Sequence, residues 1–530
     1  MSNTNAGNAL APGLTNEGLR RRGAFLRFGQ LALLGLVCTR SPAQSQAAST
    51  DPDEQARTAW RAMSRVGYGP SPALAMAVQA APSARHWALQ QIDLAHAASQ
   101  QPPVIAGDLA GFNAALPQLF AADRQERALR RQVPSTAGVA ANDMALHPQV
   151  VANRRMDFSG VDAPELFTRR TVQQTAAWRL TSCSLPEQEN PLLARMTEFW
   201  FNHLNVFIGK GADRPYVGHY LIHVVRAHAL GKFEDLLLAS ARHPAMLLYL
   251  DQAQSVAPGS LGGQGKTRGL NENYARELME LHTLGVNAGY TQTDVRELAR
   301  VLTGWTVDPQ ADSGYRFASR LHDKGNKQVL GQDFPAAGQS AGEQEGVDAI
   351  RMLARHPATA QRISLRLARF FVADSPPPAL VAQLAQTFLN TQGDIRAVLR
   401  TLLQSSDFWD AEQRLFKTPL DFACSALTAT QSAANADRRG LVLAADYLAS
   451  AGQALHSWQT PDGYTFDAAT WLAPEALTRR ADFALSLARQ IPALTFLRPY
   501  FSTSTLDTID HERPALQAGL MLASPDFMYK

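Results

Sequence analysis

Along most of this chain, apolar residues recur three and four positions apart, the spacing of one helix face after another. The densest example runs from Asn271 to Trp305, NENYARELMELHTLGVNAGYTQTDVRELARVLTGW. It predicts two helices joined by a short turn. Tyr274, Ala275, Leu278, Met279 and Leu281 mark the inner face of the first. Gly285 follows, where a left-handed cap is expected. Thr291 and Asp294 make a capping box for the second helix. Val295, Leu298, Ala299 and Leu302 give that helix its apolar face, and Gly304 stops it. The same periodicity predicts helices at 54–66, 164–180, 216–229, 233–242, 245–250, 347–354, 359–372, 380–389, 395–403, 420–430, 441–449, 475–490 and 513–523. A further helix opens at Pro191, with Asn190 as its cap.

Three stretches break the pattern. Residues 101–160 are rich in Pro, Ala, Gln and Asn and read as helical pieces and loops, with the charge run 124–131 on a solvated helix face. Residues 255–269 are glycine-rich, but their spacing departs from a phosphate loop and no strand precedes them, so they read as a plain loop. Residues 315–321 alternate, and 327–330 are placed to pair with them across His322–Asn326, which predicts a hairpin. The expected fold is therefore mostly α. A large multi-helix domain covers 161–530, with a small β-hairpin insertion near 312–334. Residues 49–160 supply N-terminal helices and low-order loops.

Some polar residues fall where a plain core helix would not place them. His282 lies between Leu278 and Ala275 in the middle of the apolar arc, and Glu277 lies at its edge. Asn273, Glu277 and Glu280 form a stripe beside that edge. His203 sits between Phe199 and Trp200 on another apolar face. A buried imidazole or carboxylate must find a partner. A satisfied core network is the plain reading, and a shared site is the sharper one. Glu277 and His282 are about 140° apart on one helix, so they do not point at one atom. The sharper reading therefore takes Glu277, Glu280, His322 and Asp323 as the catalytic candidates, with His203, His282 and Asn273 supporting them. These residue types suit metal ligation or acid–base work, so a divalent metal stands open as the cofactor.

Charge adds a compartment rather than a ligand. The chain has 50 basic and 47 acidic residues. Residues 1–48 carry five arginines and one acid, Glu17, leaving 45 basic and 46 acidic residues beyond them. No broad electrostatic footprint for nucleic acid remains. Arg20, Arg21 and Arg22 precede the apolar run Leu31–Val37, and small residues follow from Ala43 to Ala48. That order predicts a signal peptide over 1–48, cleaved between 43 and 48, and a mature protein that is periplasmic or extracellular. The arginines resemble a twin-arginine signal, but Gly23 and Ala24 separate them from Phe25, so the Sec route stands beside it. No integral membrane span is expected in the mature chain. Cys38 leaves with the signal. Cys183 and Cys424, 241 residues apart, read as separate buried thiols, although the compartment permits a disulfide.

The long central stretch also resembles the signature of the bacterial domain-of-unknown-function 1800 family. Other pieces match in order: MSRVGYGPSP at 63–72, FWFNHLNV at 199–206, HDKGNKQVLGQDF at 322–334, HPATAQRISLRLARFFV at 356–372, TPDGY at 460–464 and LASPDFMY at 522–529. The resemblance implies an exported helical protein, often encoded beside a sulfatase-like partner. It implies no activity, substrate or cofactor. No nucleophile elbow, HExxH, dinucleotide glycine pattern or EF-hand loop occurs. Two function classes follow. One is an extracytoplasmic, metal-assisted hydrolase of a cell-surface or extracellular polymer. The other is a non-catalytic assembly protein that binds an exported sulfatase-like partner.

Overall fold

Several helices begin where the sequence supplies a partner for their free N–H groups. Asn190 Oδ1 accepts from the amides of Leu192 and Leu193 at 3.0 and 3.1 Å, with Pro191 at the first helical position. Thr291 and Asp294 close a reciprocal capping box, and Thr418 and Asp421 close another. Such a cap stabilises its helix by about 1 kcal/mol. The computed structural model describes residues 51–132, 164–260, 269–335, 342–491 and 493–530. The expected signal peptide and the stretch 133–163 lie outside them. Within the described residues the protein is mostly α-helical, and Asp51–Lys530 forms one compact unit.

The elements that matter below are helices α1 (Phe167–Ser184), α2 (Pro191–His203), α3 (Asn273–Glu277), α4 (Gln292–Val301), α5 (Gly342–Ala354), α6 (Pro357–Phe371) and α7 (Pro419–Thr430). The main core gathers Phe199, Trp200, Tyr220, Leu278, Leu298, Trp305 and Phe371, all fully or almost fully buried. A second core forms around α7, where Phe422 and Leu427 meet Leu448, Leu522 and Phe527. Among the described residues no helix is long and apolar enough to cross a membrane.

Four sequence expectations need correction. First, Leu116–Gln132 is one continuous helix, and its charge run is not simply solvated. Glu126 is buried and accepts from the Thr168 amide at 3.0 Å while pairing with Arg130. Second, α3 does not continue as α-helix. Leu278–His282 winds as a π-helix, and Thr283 Oγ1 bonds the Leu278 carbonyl at 2.6 Å. Apolar spacing alone does not separate the two winds. Gly285 then takes the expected positive φ, 95°.

Third, the single hairpin is two. Strand β1 (Trp305–Val307) pairs antiparallel with β2 (Tyr315–Phe317), in the register Trp305↔Phe317. Strand β3 (Lys327–Val329) pairs with β4 (Gln332–Phe334), in the register Val329↔Gln332. Leu330 and Gly331 make a two-residue turn with φ of 51° and 77°, which reverses the chain at once. The Leu330 amide is held by Asp294 Oδ1 at 2.7 Å. That outside support lets a leucine occupy a left-handed position, so the usual Asn-Gly signal was absent. Fourth, Cys183 and Cys424 are joined in a disulfide. Helices α1 and α7 pack together and bring the two Cα atoms to 5.7 Å, a distance that sequence separation does not reveal.

Candidate functional site

The polar stripe on α3 is the natural starting point. Asn273 is exposed, and its Nδ2 donates to the Leu250 carbonyl at 3.2 Å. Glu280 is matched by Arg276 at 3.4 Å and by a hydrogen bond with Tyr290. Glu277 differs. It is half-buried and makes no hydrogen bond or ion pair among the described residues. Burial pushes its carboxyl up, Glu280 and Asp462 push it further, and only Arg276 opposes them.

Asp462 sits on the loop 455–467, which helix α2 holds in place. Asn202 grips Tyr464 from both sides, accepting from its amide at 2.7 Å and donating to its carbonyl at 2.8 Å. Asn205 Nδ2 donates to the carbonyls of Trp458 and Thr460 at 3.0 and 2.9 Å. Gly463 is required at this junction. Its φ is 75°, and an added Cβ would lie 2.0 Å from the Asn202 carbonyl oxygen. Asp462 itself accepts from Trp458 Nε1 at 2.7 Å and Thr460 Oγ1 at 2.5 Å. The phenol of Tyr249 donates to the Gln459 carbonyl at 2.9 Å. Burial raises that phenol, and Asp213, Glu277 and Asp462 all raise it further. Asp213 is fully buried, and burial pushes its carboxyl up to about 7, against Arg214, Lys210 and nearby backbone N–H groups.

The two buried histidines do meet. Their rings are 6.3 Å apart, and His203 Nε2 donates to the His282 carbonyl at 3.0 Å. Burial, with Arg362 and Arg366 nearby, pushes His282 down to about 3 and His203 well down, so both are neutral. His203 Nδ1 and His282 Nε2 have no partner among the described residues. Arg362 Nε donates to the Leu281 carbonyl at 3.1 Å. Burial lowers the half-buried Arg366 to about 10, with Asp462 opposing that shift. Both arginines therefore stand beside the histidine pair, and Arg366 also feels the acidic loop.

His322 and Asp323 keep different company. Asp323 is gripped by Arg300 at 2.8 and 3.1 Å, which holds its carboxyl below the usual range. Its amide donates to Thr303 Oγ1 at 2.8 Å. His322 Nδ1 donates to the Thr303 carbonyl at 2.9 Å, and its Nε2 stands 3.5 Å from Glu345. Glu345 in turn pairs with buried Lys327 at 2.6 Å. Burial lowers the His322 imidazole. These bonds fasten the link between the two hairpins to α4 and α5. No residue in this network is a hydrogen-bond partner of Glu277 or Glu280. The four catalytic candidates thus fall into two groups, Glu277 with Glu280 and His322 with Asp323. Among the described residues no three His, Cys, Asp or Glu side chains converge as metal ligands would.

Sequence reasoning passed over Asp462, Tyr249 and Asp213. One signal was available: Asn202 and Asn205 flank His203 at the end of an apolar helix, and each needed a partner. The arrangement is a half-buried acid on a broken helix, facing an acidic loop that a neighbouring helix clamps. It belongs to a large helical protein whose site is built around the π-wound signature. A family model described as "Protein of unknown function (DUF1800)" matches residues 61–529, and the chain belongs to that family. No curated protein and no solved structure matches it significantly.

Proposed function

We propose that the chain is an exported hydrolase that acts by acid–base chemistry on a cell-surface or extracellular polymer, with Glu277 as the acid and Asp462 as its carboxylate partner. One observation carries this reading: among the described residues Glu277 has no hydrogen bond or ion pair. Three buried glutamates each have a cation: Glu189 has Arg226 at 2.6 Å, Glu234 has Arg355 at 2.6 Å and Glu345 has Lys327. Leaving a part-buried carboxyl without one is unfavourable, and such groups cluster where a raised pKa is used. Two carboxyl groups in different surroundings, one raised by burial and one in solvent, is the pattern of a proton donor with a helper. Asp462 is exposed, so the face is open to a long substrate. Among the described residues, no gathered donor set supports the metal-assisted form of the reading. Export is supported by the arginine-then-apolar N-terminus and by the disulfide, which fits an oxidising compartment.

The test incubates the purified protein with cell-wall glycans and extracellular polysaccharides and follows release of new chain ends. Glu277→Gln should reduce release by about 100-fold or more while leaving the melting temperature within a degree or two. Suppose instead that wild type releases nothing, and that both proteins retain an exported sulfatase-like partner equally. The hydrolase reading then fails and the assembly reading takes its place.

A further inference from the structure

Leu455, His456, Tyr464 and Phe466 of the 455–467 loop help to line a cavity with about 40 Å³ open to the centres of water molecules. Tyr68, Arg179, Arg195, Glu198, Asp421 and His456 line it, among others. Arg179 is committed: its Nε donates to Glu198 at 2.8 Å and its Nη1 meets the His456 ring at 3.2 Å. Burial, with Arg179 adding, holds His456 well below its ordinary value, so the ring adds no charge. Arg195 is only half committed. It is fully buried, between the rings of Tyr68 and Phe370 at 4.6 and 4.2 Å. Its Nη1 donates to Asp421, while Nε and Nη2 have no partner among the described residues. The Tyr68 hydroxyl, also buried, has none either. Asp421 is already shared with the Lys530 ammonium, and buried Lys417 stands close enough to act on it. Asp421 thus answers Arg195 and Lys530 together, while Glu198 is taken by Arg179, so Arg195 has only a shared counter-charge.

Buried positive charge without a counter-charge of its own is unstable, and so is a buried N–H without an acceptor. Both conditions are met by one kind of ligand. The Nε and Nη2 groups of a guanidinium form a planar fork that matches two oxygens of a carboxylate, sulfate or phosphate. We propose that this cavity binds a small oxyanion group, held by the Arg195 Nε/Nη2 fork and the Tyr68 hydroxyl. The proposal is independent of the acid–base reading of Glu277, because neither Glu277 nor Asp462 lines the cavity.

The test titrates the purified protein with sodium sulfate, phosphate and acetate, with sodium chloride at matched ionic strength as reference. Binding is read by calorimetry and by the melting temperature. At least one oxyanion should bind saturably at one site per chain and raise the melting temperature above the chloride value. Tyr68→Phe keeps the ring and removes one donor, so its affinity should fall roughly tenfold. Arg195→Lys keeps the charge and loses the fork, and should abolish binding. If that variant does not fold, Tyr68→Phe alone decides. A second arm compares inorganic sulfate with glucuronate and a sulfated monosaccharide. Tighter binding of the sugars means that the oxyanion is the acidic group of a larger ligand, and equal binding means a free ion. The proposal is overturned if no oxyanion outperforms chloride, or if Tyr68→Phe binds as tightly as wild type.

Discussion

Asp213→Asn should remove a pH dependence of stability that the wild-type chain carries. The carboxyl of Asp213 is fully buried and its pKa rises from the ordinary 3.8 to about 7. A carboxyl whose folded value lies above its unfolded value stabilises the fold only while protonated. That contribution is complete below about pH 4, shrinks as pH rises, and is gone above about pH 7. In that window the folded chain holds one proton that the unfolded chain does not, so stability falls by about 1.4 kcal/mol per pH unit. The gap of roughly three units gives a total of about 4 kcal/mol. Asparagine mimics the protonated acid in shape and hydrogen bonding and does not titrate. Urea unfolding of both proteins from about pH 4 to about pH 8 isolates the effect, because every other titrating group cancels in the difference. The variant should gain on wild type by about 4 kcal/mol across that range, mostly between pH 4 and 7. Parallel curves would refute the reasoning. They would mean that the carboxyl finds a charge partner or solvent in the folded state.

Two further outcomes follow from the geometry. Gly463→Ala should destabilise the protein by more than about 2 kcal/mol, read as a drop in melting temperature, because the left-handed backbone and the Asn202 carbonyl both reject a Cβ; an unchanged melting temperature would show that the loop 455–467 is not clamped as described. Cys183→Ser with Cys424→Ser should lose about 3–5 kcal/mol in urea unfolding, and a reducing agent should have no further effect on that double variant.

The helices were legible in the sequence because their causes are local. Thr291 and Asp294 stand three residues apart, and a capping box needs nothing else. Asn190 and Pro191 fix a helix start in the same way. The hairpins were misread because the turn at Leu330–Gly331 depends on Asp294, 36 residues earlier. The disulfide was misread for the same kind of reason: only the packing of α1 on α7 brings its halves together. At the candidate site, the sequence correctly marked His203 and His282 as polar groups on apolar faces, and they do contact each other. It could not supply Asp462, since an acid in a loop carries no periodic signal. It also could not show that Asp323 is tied up by Arg300, because a loop acid and a helix arginine look free until the loop is placed. Arg195 escaped notice for the opposite reason. An arginine on a helix reads as a solvated charge, whereas this one stacks between aromatic rings in the interior.

The disulfide between Cys183 and Cys424 also changes what a broken chain would be. It closes a covalent ring that contains the signature stretch, both hairpins and helices α2 to α6. A protease that cuts any one peptide bond inside this ring leaves two polypeptides still joined through sulfur. Such a nicked molecule would run as one band without reductant and as two with it. In the exported setting proposed above, where proteases are common and thiols scarce, a single cut within that span would leave every part of the candidate site attached to the rest.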